Sequence, residues 1–217
     1  VYNADNVGPN GPAVDDGRVF VESSSRTIAA LEATTGKELW SRPIVSSETQ
    51  GIDQQLAAYK GAIYVSSVPI PSASKGYAGG GMGIIYALDE HSGNQKWSFN
   101  TVKNGDLWGN PQVNSGGGAW YPPAIDTSSG TTFWGTGNPA PFPGTPEYPN
   151  GSSRPGPNLY TDSELALDDA GHLKWYQQVT AHDLFDFDFQ SSPILTTATV
   201  KGSQKQVVIG SGKAGYV

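Results

Sequence analysis

An all-β chain of repeated small sheets is the architecture that the sequence predicts, and three observations carry it. One pattern, an alanine, an acidic turn with a glycine and a closing tryptophan, occurs three times: Ala30-Leu-Glu-Ala-Thr-Thr-Gly36-Lys-Glu-Leu-Trp40, Ala87-Leu-Asp-Glu-His-Ser-Gly93-Asn-Gln-Lys-Trp97 and Ala166-Leu-Asp-Asp-Ala-Gly171-His-Leu-Lys-Trp175. In each copy an apolar strand runs into an Asp/Glu and Gly turn, and a second strand leaves with the tryptophan, which is the pattern of a β-hairpin. The 28 glycines and 16 prolines in 217 residues supply turns and leave little room for helix, while 36% apolar and 11% aromatic content suffices for a sizeable core. A hairpin repeated at intervals that hold four short strands is one blade of a β-propeller.

A single domain over residues 1–217 is expected, with blades at roughly 1–45, 46–105, 106–180 and 181–217, the last incomplete. The first blade takes strands at Arg18 to Val21, Thr27 to Leu31 and Glu38 to Ser41. The second takes Gln54 to Tyr59, Ala62 to Val68, Gly83 to Leu88 and Gln95 to Phe99, with a Gly/Ser loop from Pro71 to Gly81. The third takes Ala119 to Ile125, Thr131 to Gly135, Tyr160 to Leu167 and Leu173 to Gln178, and the fourth opens with Ser192 to Thr196 and Gln206 to Ile209. The interval from Trp97 to Trp175 exceeds that from Trp40 to Trp97, and the proline-rich stretch from Asn138 to Asn158 accounts for the excess as a long loop. Long ordered loops on a rigid scaffold carry function. Lys213-Ala-Gly-Tyr-Val217 reads as the start of a further strand, so the sequence predicts part of a larger propeller, or one completed by further blades or a second copy.

The net charge of −7, with no basic cluster, argues against nucleic acid or an anionic membrane as a partner. With no cysteine, neither a disulfide nor a thiolate metal site is possible within the chain. No apolar run is long enough to span a membrane. Val1 is not followed by a signal-like stretch, so the chain is expected to begin after processing or inside a longer protein.

Two segments exceed what a scaffold needs. Gly135-Thr-Gly-Asn-Pro-Ala-Pro141 sits where a strand leaves its sheet, and Ala181-His-Asp-Leu-Phe-Asp-Phe-Asp188 gathers a histidine with Asp183, Asp186 and Asp188. In extended conformation Asp186 and Asp188 point to the same side, where like charges repel unless a cation or a shared proton compensates them. Oxygen-only ligation by carboxylates and an amide carbonyl such as that of Asn138 suits calcium or a similar hard ion. Taken singly, each residue also has a structural reading: solvated turn acids, a core indole at Trp120, a turn residue at Asn138 and a surface lysine at Lys213. His182 reads as a structural hydrogen-bonding residue, and Trp40, Trp97 and Trp175 as blade packing.

Gly116-Gly-Gly-Ala-Trp120, Thr136-Gly-Asn-Pro-Ala-Pro141 and His182-Asp-Leu-Phe-Asp-Phe-Asp188, in this order, resemble the pyrroloquinoline quinone (PQQ)-dependent alcohol dehydrogenases, the quinoprotein family that includes methanol dehydrogenase. The tryptophan repeats resemble that family's tryptophan-docking motifs. The resemblance implies an eight-bladed propeller of which this chain supplies about half, with PQQ and Ca²⁺ or a lanthanide ion as cofactors. It implies oxidation of a small alcohol by hydride transfer to the quinone, an electron acceptor such as a cytochrome, and a periplasmic or extracellular place. Carried over by position, it implies Trp120 as the floor under the quinone and Asn138, Asp186 and Asp188 as metal ligands. Asp186 is then the general base, and Lys213 sits beside the reactive quinone carbonyl, stabilising charge on it.

The chain departs from the family where a glutamate ligand is expected. Tyr77-Ala-Gly-Gly-Gly-Met-Gly83 contains no carboxylate, so Asp188 is expected to replace it from the opposite side. Phe185 stands where many members carry tryptophan. A cofactor on the propeller axis needs blades from all round the ring, so these residues alone are expected to be inactive. The alternative is a non-catalytic propeller that binds proteins or serves assembly, and the discriminating feature is whether Trp120, Asn138, Asp186 and Lys213 converge.

Overall fold

The structure, a computed structural model, describes residues 2–4, 10–72, 76–77 and 79–217, so the centre of the expected Gly/Ser loop lies outside the described residues. Regular structure among the described residues is strand, apart from single 3-10 turns at Lys103–Gly105 and Leu107–Gly109. The first sheet runs Ala13–Asp15, Arg18–Ser24, Thr27–Glu32 and Glu38–Pro43 in sequence order, all antiparallel. Its first strand was not expected, being three residues long and ended at once by the Asp16-Gly17 turn.

In all three repeats the alanine faces the tryptophan across the hairpin: Ala30 opposite Trp40, Ala87 opposite Trp97 and Ala166 opposite Trp175. In all three the register shifts directly after that alanine. A small residue opposite a large one and a bulge that sharpens twist are therefore the structural content of the repeat.

The second sheet departs from the expected edge strand. Ala62–Pro69 pairs on one side with Ile84–Asp89, and on the other with both Gln50–Ile52 and Ala57–Tyr59. The gap between those two short strands is filled by a side chain: Gln54 Oε1 accepts from Ser66 N (2.5 Å), and its Nε2 donates to Tyr121 O (2.9 Å). Every residue of Ala62–Pro69 is buried because its two faces meet different blades. Ile63 and Val65 pack with Phe20, Ile28 and Trp40 of the first blade, whereas Ala62 and Tyr64 pack with Trp134, Leu165 and Leu167 of the third.

The third sheet takes Ala124–Ile125, Thr132–Gly135, Ser163–Leu167 and Leu173–Gln178. Its first strand shrinks from the expected Ala119 to Ile125 because Pro122 and Pro123 lack the N–H groups a ladder needs, and Ser115–Gly116 pairs instead with Pro139–Ala140. The fourth is a hairpin, Ile194–Val200 with Ser203–Ile209, longer than expected and closed by Lys201 and Gly202 at φ 51° and 78°.

Adjacent blades are joined by the tryptophans. Trp40 Nε1 donates to Glu90 O (2.9 Å) and Trp97 Nε1 to Asp169 O (3.0 Å), each in the turn of the next repeat. The indoles lie so close that a Cβ added to Gly93 would stand 2.6 Å from Trp40, and one added to Gly171 2.6 Å from Trp97. Trp175 packs on Phe133 (centroids 5.9 Å apart) and remains 41% exposed.

Gly61 and Gly93 both have positive φ, but a Cβ on Gly61 would meet nothing within 4 Å. Gly61→Ala is expected to cost about 1 kcal/mol from backbone strain alone, and Gly93→Ala roughly 1–3 kcal/mol more because the indole must move. Urea unfolding of both variants checks this; equal costs would mean that the ring yields freely.

Candidate cofactor and metal site

Four segments meet where strands of the third and fourth sheets pass into loops. Gly117 N donates to Asn138 O (3.1 Å), Gly137 N to Gly118 O (2.8 Å), Phe189 N to Thr136 O (3.1 Å) and Lys213 N to Asp188 O (3.0 Å). Such close backbone approach excludes side chains. A Cβ on Gly116 would fall 2.7 Å from Asn138 O, and one on Gly137 would fall 2.6 Å from Asp188 Oδ1 and 2.9 Å from Trp120 Nε1. Glycine at 137 is what allows the Trp120 indole and the Asp188 carboxylate to share one place.

The acidic segment is not extended, contrary to the sequence expectation: Asp186 has φ 64°, in the left-handed region. A buried residue holds that bend. Asp183 Oδ1 accepts from Phe185 N (2.7 Å) and Oδ2 from Phe187 N (2.6 Å), so the amides on either side of Asp186 are fixed by one carboxylate. The bend still brings the two acids together, on a lysine. Lys213 Nζ lies 2.8 Å from Asp186 Oδ2 and also bonds Asp188 Oδ2, while Asp188 Oδ1 accepts from Asn138 N (2.7 Å). Asp188 is buried, whereas Asp186 and Lys213 are partly exposed.

Burial raises the Asp188 carboxyl above its ordinary value, against the opposing effects of Lys213 and the Asn138 amide. Burial works against the Lys213 charge too, but its hydrogen bonds to Asp186 and Asp188 outweigh that and raise it. Asn138 Nδ2 donates to Pro139 O (3.1 Å), and among the described residues no protein group donates to its Oδ1.

The residues fit a hard cation in one respect that geometry can test: Asp186 and Asp188 each direct an oxygen at a single positive charge, the Lys213 ammonium. They fit a flat aromatic group in that Gly118 and Gly137 leave no Cβ against the Trp120 indole. In the loop that lacks a glutamate, three described glycines pack closely against neighbouring backbone. A Cβ on Gly79 would stand 2.3 Å from the Gln112 backbone, on Gly81 2.5 Å from Thr49 O, and on Gly83 1.9 Å from Gly117 O.

Sequence reasoning missed Arg154, Asp162 and Glu164. Arg154 is fully buried; its Nη2 donates to Phe142 O (2.8 Å) and Asp183 O (2.5 Å) and its Nη1 to Asn158 Oδ1 (2.6 Å), and burial lowers it to about 10. Asp162 and Glu164 are buried with no hydrogen bond to either carboxylate oxygen. Burial pushes both to about 8, with the charges of Asp183 and Asp188 adding to the effect at Asp162. The run Thr161-Asp-Ser-Glu164 gave no warning, because consecutive polar residues ordinarily sit at the surface. His182 Nδ1 meets Gly156 O (3.0 Å), a structural role as expected.

A partial β-propeller with this glycine-cradled indole and lysine-bridged acid pair has clear relatives. The family model for the glucose/ethanol/alcohol dehydrogenase β-propeller domain, designated PQQ, matches residues 57–217, and the chain belongs to that family. It is 26% identical to the quinohemoprotein alcohol dehydrogenase of Comamonas testosteroni over 95% of this chain and 30% of that protein. The crystal structure of the Comamonas testosteroni enzyme superposes with a TM-score of 0.78 at 27% identity, over 95% of this chain and 32% of the other. The quinoprotein alcohol dehydrogenase PedH of Pseudomonas putida is 31% identical over 82% of this chain and 32% of its own length. A europium-containing methanol dehydrogenase shares the fold at 24% identity and a TM-score of 0.75, over 95% of this chain and 38% of that one. The chain thus spans about a third of the length of these relatives.

Glu164 keeps its proton in the folded protein up to about pH 8, whereas an unfolded glutamate ionises at about 4.3. Between these values the unfolded state binds fewer protons, so stability falls as pH rises through that window. Glu164→Gln is expected to flatten the fall by up to about 1.4 kcal/mol per pH unit, read from urea midpoints between pH 5 and 8. An unchanged slope would place the proton on another group.

Proposed function

We propose that this chain is the part of a PQQ-dependent alcohol dehydrogenase that carries the general base and the metal-facing carboxylates. The observation that carries this reading is the single cation position between Asp186 and Asp188, beside Asn138 and next to Trp120 across Gly137. The curated relatives, named as quinoprotein and quinohemoprotein alcohol dehydrogenases, support the same chemistry. When bound, PQQ and its metal ion supply a hydride acceptor and a Lewis acid.

The chain's residues would do the rest. Trp120 would pack against the planar cofactor, and Asn138 Oδ1 with the Asp186 and Asp188 carboxylates would hold Ca²⁺ or a lanthanide ion. Asp186 is partly exposed, so an alcohol hydroxyl can reach it and give up its proton to the carboxylate. The Asp183 bend fixes that carboxylate's place, and Lys213 Nζ orients it and would stabilise negative charge on the reduced cofactor's oxygen. Phe185 and Phe187, with centroids 5.4 Å apart and both exposed, flank Asp186 and would exclude water from the apolar part of the alcohol.

A cytochrome as electron acceptor and a periplasmic or extracellular place belong to the same reading. No helix among the described residues is long and apolar enough to cross a membrane. Exposed Trp175, Tyr176 and Ile194 support completion of the ring by further blades or a second copy.

Because the cofactor needs blades from all round the ring, PQQ titration of the chain within its completed propeller, with Ca²⁺ and separately with La³⁺ and followed by cofactor absorbance, tests the binding half. Cation-dependent binding is expected, weakened about 10-fold or more in Asp188→Asn. Alcohol-dependent dye reduction by the loaded protein is expected to fall roughly 10²–10⁴-fold in Asp186→Asn. No binding with either ion by the completed ring would favour the non-catalytic scaffold instead.

A further inference from the structure

The turn of the second repeat carries a buried acid that the fold satisfies only in part. Glu90 is 4% exposed, and its Oε2 is shut off from solvent without a hydrogen-bond partner. Its Oε1 lies 3.4 Å from His91 Nε2 and 3.8 Å from Arg18 Nη1. Asp16, in the first blade's opening turn, brings a further carboxylate, so that one ligand atom from each of Asp16, Glu90 and His91 lies within 4.8 Å of the others. We propose that these three residues form a site for a divalent transition metal of the zinc class, clamping the first blade to the second.

A buried carboxylate oxygen without a donor costs stability unless a cation or proton meets it. Arg18 meets the need only in part, bonding Asp16 Oδ2 at 2.9 Å but standing beyond hydrogen-bond range of Glu90. One positive charge then serves two acids. An imidazole nitrogen with two carboxylate oxygens suits zinc-like ions rather than calcium, which prefers oxygen alone. Zinc bonds of about 2.0–2.2 Å in a tetrahedron put neighbouring donor atoms about 3.4 Å apart, which is the separation of His91 Nε2 from Glu90 Oε1.

The site is preorganised and open. Trp40 Nε1 holds Glu90 O at 2.9 Å, and Glu90 N donates to Gly61 O at 3.2 Å, so the turn is fixed before any ion arrives. Asp16 and His91 are exposed, which leaves an entry path and room for a water ligand. Arg18 would orient Asp16 from outside the coordination sphere. No residue is shared with the Asp186 and Asp188 pair.

Zn²⁺ calorimetry and the visible spectrum of Co²⁺ added to the purified chain test the proposal. One equivalent should bind, with tetrahedral Co²⁺ bands, and affinity should fall at least about 10-fold in Glu90→Gln and His91→Ala. It should be unchanged in His172→Ala, which removes another exposed histidine lying beside a carboxylate. His91 is exposed, so its removal leaves the fold standing even if Glu90→Gln does not. Absence of a tetrahedral Co²⁺ signal, or a signal that survives His91→Ala, would overturn the proposal.

Discussion

The closure of the first two repeats' indoles against the glycine turn of the next blade is the contact on which the rest of the structure depends. Trp40 and Trp97 sit on edge strands, and each reaches across to a backbone carbonyl and a glycine of its neighbour. An indole contributes apolar area and one N–H, so a single residue both buries surface and fixes a direction. With neighbouring blades set in this way, an inner strand such as Ala62–Pro69 is covered on both faces. The alanine opposite each tryptophan and the bulge after it shape the hairpin that delivers the ring.

That constraint brings inner ends so close that side chains have to vanish there. Gly83, Gly116, Gly117 and Gly137 are the result, and the backbone pairs they permit set Trp120, Asn138, Asp188 and Lys213 side by side. The charges in this region do not balance on their own. Among the described residues, Asp162, Asp183, Asp186 and Asp188 face two cations, Arg154 and Lys213, and a proton kept by Asp162 up to about pH 8 removes one excess charge. The remaining excess supports a reading in which a further cation enters the site.

Much of this was legible in the sequence, and the reasons differ by feature. The repeat announced itself because its residues act locally: an alanine, a turn glycine and a tryptophan at nearly fixed spacing carry the hairpin in any context. Trp120, Asn138, Asp186, Asp188 and Lys213 could be named from their motifs, but not how Lys213 bridges the two acids, which depends on segments far apart in the chain. Gln54 standing in for a broken edge strand is equally non-local, since its partners are Ser66 and Tyr121. Asp162 and Glu164 went unnoticed for the opposite reason: they stand in the polar run Thr161-Asp-Ser-Glu164, which ordinarily marks surface, and only tertiary burial shows otherwise.

Beyond Asn138, the proline-rich loop shows how a long connection can serve a site without touching its chemistry. Pro139, Pro141, Pro143, Pro146 and Pro149 each contribute a carbonyl and no N–H, so the loop has more acceptors than donors. Much of the loop is exposed, and Pro141 O, Pro143 O and Pro149 O accept from Gly144 N, Asn150 N and Ser152 N, but carbonyls turned toward the interior need donors from elsewhere. Arg154 supplies them, bonding Phe142 O and Asn158 Oδ1, and with the same Nη2 it reaches Asp183 O. Asp183 in turn holds the amides on both sides of Asp186. A charge buried for the loop's sake is thus also the support of the bend that presents the carboxylate, which ties the long insertion between Trp97 and Trp175 to the position of Asp186.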